Sequence, residues 1–329
     1  MKKTLCSLAV GLMLCVSAVM IPSAADAEGL VITATAGPVA GTGYIGMGAL
    51  GKVYTDTNEG ASVTMLPGSD VSNPIRLEKG EVDVAIETAC LAVCAKDGSA
   101  PFKKAVGNLS AIANLRTISR MNIVVRADTG ITSLEQLKAE KKPIRLATGP
   151  RGSASEVMGR WVLEEYGITY KDITSWGGKL ISNNFGDAAD LAKDGQVDMI
   201  FWGGPGEAWF FTDLITNTPL RWLPINDEVA ATVNEKYMLA PARFEASEYN
   251  GKMGQDVPTV HTSLEILVRT DMSDDVAYRL TKAMCEGADE IIAANPTWGN
   301  FKAETAWEGV THPLHPGAAK YYKEKGWIK

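Results

Sequence analysis

Two stretches of this chain, more than a hundred residues apart, share one design. Leu77 to Ile86 carries Gly80, Val82 and Asp83, and Ala192 to Phe201 carries Gly195, Val197 and Asp198 at the same spacing. Each reads as a helix stopped by glycine and followed by a short apolar strand, because glycine alone adopts positive φ cheaply just past a helix end. A design used twice predicts two similar α/β lobes. Two facing lobes make a cleft, the usual place for a small molecule, so the loops that point into it are where function is to be sought.

The first residues predict the compartment. Lys2 and Lys3 precede an apolar run from Leu5 to Ile21, followed by small residues and Ala25-Asp26-Ala27. This is the pattern of a secretory signal peptide cleaved near Ala27, with a run too short for a spanning helix. Leu14 is too large to precede a lipidated Cys15. The expected location is the periplasm. The formal net charge of −7 becomes −8 when a leader with two lysines and one aspartate is removed. An acidic surface argues against nucleic acid or an anionic membrane as partner, since both demand clustered Lys and Arg. Cys90, Cys94 and Cys285 remain in the mature chain. The first two either form a local disulfide or are buried as small hydrophobes.

Punctuation by glycine and proline divides the chain into alternating elements. Leu30 to Thr35 is β-rich and leads through a glycine-rich loop into a helix. Val63 to Leu66, Val82 to Ile86, Leu109 to Leu115 and Met121 to Arg126 read as further strands, with Pro74 suited to the first turn of a helix ended by Gly80. Ile144 to Thr148 is a strand followed by Gly149 to Glu156, where Ser153 and Glu156 have capping-box spacing. A long helix is expected from about Asp275 to Ala294. Such alternation implies mostly parallel sheets wrapped by helices. The ending Val125-Arg126-Ala127-Asp128 returns as Val268-Arg269-Thr270-Asp271, which marks two strands linking the lobes.

A helix N-terminus offers free N–H groups and a partial positive charge, so a glycine-rich turn before it can hold an anion against bare backbone. The first lobe presents Gly37, Gly41 and Gly46 with Thr42 and Tyr44 as hydroxyl donors. The second presents Gly152 and Ser153, with Arg151 able to grip a carboxylate. Ser69 and Asn73 add polar groups after the second strand. Such ends suit two carboxylates, or one carboxylate and an amine balanced by Glu87. Trp202 is either a cleft wall or core.

Gly41, Gly43 and Gly46 also match the dinucleotide fingerprint, but Gly37-Pro38 already breaks the preceding strand and Pro67-Gly68-Ser69 stands where a ribose-binding acid belongs. No cofactor or metal is expected. A secreted hydrolase would need a convergent nucleophile and base, and no G-x-S-x-G elbow is present. His312 and His315 are each followed by proline, which favours a rigid turn over half a metal site. An exported sensor domain would ordinarily keep a membrane anchor.

The order of the pieces resembles the TAXI family of solute receptors for tripartite ATP-independent periplasmic (TRAP) transporters. The resemblance rests on the glycine-rich loop ending at Tyr44, Gly68-Ser69 with Asn73 and Gly80 to Asp83, Val125 to Gly130, Gly149 to Ser153, and His315-Pro316-Gly317 with Tyr321. It implies a two-lobed α/β fold of the periplasmic-binding-protein kind (type II), with hinge strands, that takes a small anionic or zwitterionic ligand and delivers it to a TRAP membrane permease. The contacts it implies are the loop from Thr35 to Tyr44, Ser69, Asn73, Glu87, Thr88, Gly152, Ser153, and Trp202, Gly203, Gly204 and Pro205. The chain departs from the family pattern at Ala34 to Gly37 and in having Trp202 and Glu207 around the second glycine pair. The expected lobes are residues 28–124 plus 266–329, and 125–265, behind a leader at 1–27.

Overall fold

The computed structural model describes residues 30–39, 41–205 and 208–329, with the side chain of Pro205 outside that description. The expected leader and Glu207 lie outside the described residues. Twelve strands are described: β1 (Val31–Thr35), β2 (Ser62–Leu66), β3 (Val84–Thr88), β4 (Leu109–Asn114), β5 (Ser119–Arg126), β6 (Arg145–Ala147), β7 (Lys179–Ile181), β8 (Met199–Pro205), β9 (Leu220–Trp222), β10 (Ala240–Phe244), β11 (Val257–Thr262) and β12 (Leu264–Arg269).

They form two sheets. The first has the order β2-β1-β3-β12-β4, and the second β10-β11-β5-β8-β6-β7 with β9 also on β5. Each sheet is mixed, where mostly parallel sheets were expected. β1, β2 and β3 run parallel, as do β6, β7 and β8, but β12 is antiparallel to both its neighbours and β5 pairs antiparallel with β8, β9 and β11. β10, antiparallel to β11, is a further reversed strand at the edge of the second sheet, and the reversal of β5 and β12 follows from the path of the chain. β5 and β12 are the strands by which the chain enters each sheet from the other, so they start at the end where the parallel strands finish. The crossings fall between Asn114 and Ser119 and at Ser263.

The repeated motif has the same job in both sheets. Asp83 accepts the N–H of Thr33 on β1 at 2.8 Å, and Asp198 accepts that of Arg145 on β6 at 2.7 Å. Each aspartate thereby satisfies a donor on the adjacent parallel strand one residue before the ladder between the two strands begins, at Ala34–Val84 and at Leu146–Met199. Gly80 and Gly195, at φ +69° and +70°, end the preceding helices. Arg269 and Arg126 flank these glycines, each held by the aspartate two residues on.

The expected long helix is two, Asp274–Glu286 and Ala288–Ala294. They meet at Gly287, where a Cβ would stand 2.4 Å from Val53 on the helix Thr42–Thr57. The first-lobe core gathers Met47, Leu50, Ile266 and Tyr322 around β3 and β12. A further cluster runs continuously from Leu91 and Phe102 in the first lobe to Trp161 and Val233 in the second. Cys90, Cys94 and Cys285 are free and buried. Among the described residues no helix is long and apolar enough to cross a membrane.

Candidate functional site

The carboxyl ends of the parallel strands in both sheets face one chamber, the position where open α/β sheets present their ligand-binding loops. Its walls come from the loop after β1, the loop after β2, the end of β3, the helix start after β6 and the end of β8. The space enclosed is small, about 70 Å³.

Glycine builds the first wall. Gly37, Pro38, Gly41, Thr42 and Gly43 line the chamber where β1 passes into the helix Thr42–Thr57. That helix starts without a side-chain cap and without an acid in its first turn, so its N-terminal partial charge is unanswered by its own sequence.

Across the chamber, the helix Ala154–Glu165 begins with its donors already engaged. Ser153 Oγ accepts Glu156 N–H, and Asp70 Oδ2, reaching over from the first lobe, accepts Ala154 N–H at 2.7 Å. Thr88 Oγ1 donates to the other Asp70 oxygen. Burial raises the Asp70 carboxyl above its ordinary range, opposed by these hydrogen bonds. Ser155 Oγ ties the same helix start to the backbone of Gly203 at 2.8 Å. Trp202, Gly203, Gly204 and Phe185 complete this side, with the Trp202 ring edge-on to Phe185 at 4.8 Å. Among the described lining residues, Asp70 is the one that carries a charge.

The sequence candidates divide. Gly37, Gly41, Thr42, Thr88, Ser153, Trp202, Gly203 and Gly204 line the chamber. Thr35, Ser69, Asn73 and Glu87 lie behind its wall. Asn73 donates to Ala36 O and Ile86 O, and its Oδ1 accepts Ser69 N–H at 3.2 Å. Thr35 Oγ1 donates to Leu66 O. Thr35, Ser69 and Asn73 hold the loops in place and have their hydrogen-bonding capacity committed there. Glu87 is fully buried, its carboxyl held well above the usual range by burial and by Asp70, and its Oε2 lacks a partner among the described residues. Tyr44 packs on the first-lobe core. Arg151 is exposed and, with Gly152, lines a separate cavity. Pro205 ends β8.

Sequence reasoning placed Gly43 and Ser155 within its candidate loops and passed over Asp70, Ser119 and Phe185. A usable signal existed for Asp70, an acid within a Gly-Ser-Asp turn directly after a strand. His312 and His315 are apart from the chamber. His315 Nδ1 accepts Gly317 N–H and caps the helix Pro316–Glu324, a rigid turn. Among the described residues no group of three or more His, Cys, Asp or Glu is placed to hold a metal.

The fold is that of the two-lobed periplasmic binding proteins. PhnD1 from Prochlorococcus marinus, solved with methylphosphonate, is 11% identical with a TM-score of 0.54, over 91% of this chain and 100% of that one. The periplasmic binding protein BugD is 16% identical with a TM-score of 0.53, over 91% and 98%. At such identities the likeness is one of fold. The model of the NMT1-like family matches residues 33–326, nearly the whole described chain. The chain belongs to the NMT1-like family.

Proposed function

We propose that the protein is an exported solute receptor whose lobes close on a small zwitterion, an amino acid or a close analogue, and that it delivers this ligand to a TRAP-type membrane permease. The observation that carries the reading is the position of Asp70. It places a half-buried acid in the chamber, which an uncapped helix start at Thr42 also lines. A ligand bearing one ammonium and one carboxylate answers both, the ammonium at Asp70 and the carboxylate at the backbone N–H groups of Thr42 and Gly43. A dicarboxylate, or a phosphonate of the kind bound by PhnD1, would bring a second anion against Asp70 with no lining cation to offset it. The small chamber supports a ligand of few heavy atoms.

Export is supported by the expected leader, and the permease by the motifs shared with the TAXI receptors. The two lobes are taken to divide at the sheet crossings, near Ile118 and Ser263.

Calorimetry with alanine, serine and succinate tests the ligand class. The amino acids should bind and succinate should not, and Asp70→Asn should weaken amino-acid binding by roughly 10- to 100-fold, the loss of one charge-assisted contact. Succinate binding as tightly as the amino acids would overturn the reading.

A further inference from the structure

Behind the seam where the lobes touch lies a second and larger cavity, about 620 Å³. Val71 N–H donates to Gly152 O at 3.0 Å, and this bond stands between the two spaces. Asp70, Ser153 and Ala154 face the chamber, while Val71, Arg151 and Gly152 face the second cavity. A Cβ on Gly152 would approach Val71 at 3.3 Å, so the partition is closely packed.

The charges in this cavity do not cancel. Glu156 is fully engaged: Oε1 accepts from Arg160 Nε and from Tyr170 OH, both at 3.1 Å, and Oε2 accepts Gly152 N–H at 3.2 Å. Arg160 is thereby neutralised. Arg151 has no hydrogen bond or ion pair among the described residues, which leaves one guanidinium facing the space. Around it the surface is apolar, with Val71 and Pro101 from the first lobe and Val157 and Leu180 from the second. Thr148 Oγ1 and Ser182 Oγ both donate to Gly149 O, at 3.0 and 3.1 Å. Their protons are used, so towards a ligand they offer only lone pairs.

We propose that this cavity is a second binding site, distinct from the chamber, for an organic monoacid with a flat apolar body. Arg151 grips its carboxylate in the bidentate manner that a guanidinium allows. The body lies between Val71 and Leu180, and a hydroxyl or amide N–H at its far end donates to Thr148 or Ser182. Both lobes supply walls, so occupancy favours the closed arrangement of the lobes. The site does not depend on which ligand the chamber takes.

The test uses the mature chain with 4-hydroxybenzoate and its neutral isostere 4-hydroxybenzamide as probes, followed by amide NMR. The acid should saturate with shifts at Val71, Gly152 and Leu180, and Arg151→Gln should weaken it about tenfold or more, as should replacing the acid by the amide. Equal affinity in Arg151→Gln, shifts confined to Thr42 and Gly203, or no saturation at ~10 mM acid would each overturn the proposal. Alanine calorimetry on Arg151→Gln keeps the two sites separate. Unchanged alanine affinity is expected, and an alanine affinity that falls in parallel with the acid's would merge the cavities and sink the second site.

Discussion

Asp70, on the loop after β2 of the first lobe, accepts the backbone N–H of Ala154, the first residue of a second-lobe helix, at 2.7 Å. A carboxylate of the protein thus sits where a helix N-terminus attracts anions, and it fastens one lobe to the other. Replacing it should loosen that fastening. Asp70→Ala is expected to shift the lobes towards open forms by about tenfold, the order of one charge-assisted hydrogen bond. Small-angle scattering should then show a larger radius of gyration than the wild type. An identical scattering curve would mean that the core shared between the lobes sets closure by itself.

A second prediction concerns pH. Glu265 lies on β12, between β3 and β4 in the first sheet, and burial pushes its carboxyl up to about 7. Thr311 donates to it and shares a 2.9 Å hydrogen bond with Nδ1 of His312, whose imidazole burial pulls down to about 4. The two work in opposite senses. Glu265 binds its proton more tightly in the folded state, so its contribution is full below the unfolded value near 4.5 and is lost as pH rises to 7. His312 binds its proton less tightly when folded, so its contribution is present above 6.5 and is lost as pH falls to 4. Between about pH 4.5 and 6.5 the two slopes offset each other. Glu265→Gln should remove one of them, so that stability rises with pH across this window by ~3 kcal/mol more than in the wild type. Urea unfolding at both ends of the window measures the difference.

The third prediction rests on a glycine. A Cβ at Gly68 would lie 2.1 Å from Asn73 Oδ1, 2.4 Å from Thr35 Oγ1 and 2.6 Å from Ala36 O. These are the groups that hold the loops after β1 and β2 together. Gly68→Ala should therefore cost roughly 2–3 kcal/mol in stability by overpacking. It should also displace Asp70, two residues away, and weaken chamber binding. A variant that loses stability but binds with full affinity would show that the loop can readjust around the extra methyl group.

Much of this architecture is visible in the sequence because glycine and proline punctuate it. The helix ends at Gly80 and Gly195, the cap at Ser153, and the strands between them are local events decided by a few neighbouring residues. Strand direction is not local. The apolar runs of β5 and β12 look like those of any buried strand, and only the path of the chain between sheets turns them antiparallel. The division among the polar candidates is also non-local. Asn73 and Thr42 look equally suited to a ligand, yet Asn73 finds the carbonyl groups of Ala36 and Ile86 within reach once the strands assemble. Asp70 acquires its character from a residue 84 positions later. As one acid among 39 Asp and Glu it does not announce this.

The repeat itself provides the last prediction. Asp83 and Asp198 each satisfy a backbone donor of the neighbouring parallel strand just before the ladder begins, one in each lobe, and Asp198 also accepts from Arg145 Nε at 2.9 Å. Truncation to alanine strands a backbone N–H in either case, at a cost of about 1–3 kcal/mol. Asp198→Ala should be the more damaging because it also leaves the Arg145 guanidinium without its partner. The two sites share no neighbour, so the costs in the double variant should add to within about 0.5 kcal/mol if the protein unfolds in one step. The cluster running from Leu91 to Val233 couples the lobes and favours a single step. Should Asp198→Ala instead split the calorimetric transition in two while Asp83→Ala does not, the lobes would be unfolding as separate units and that shared core would be contributing little to cooperativity.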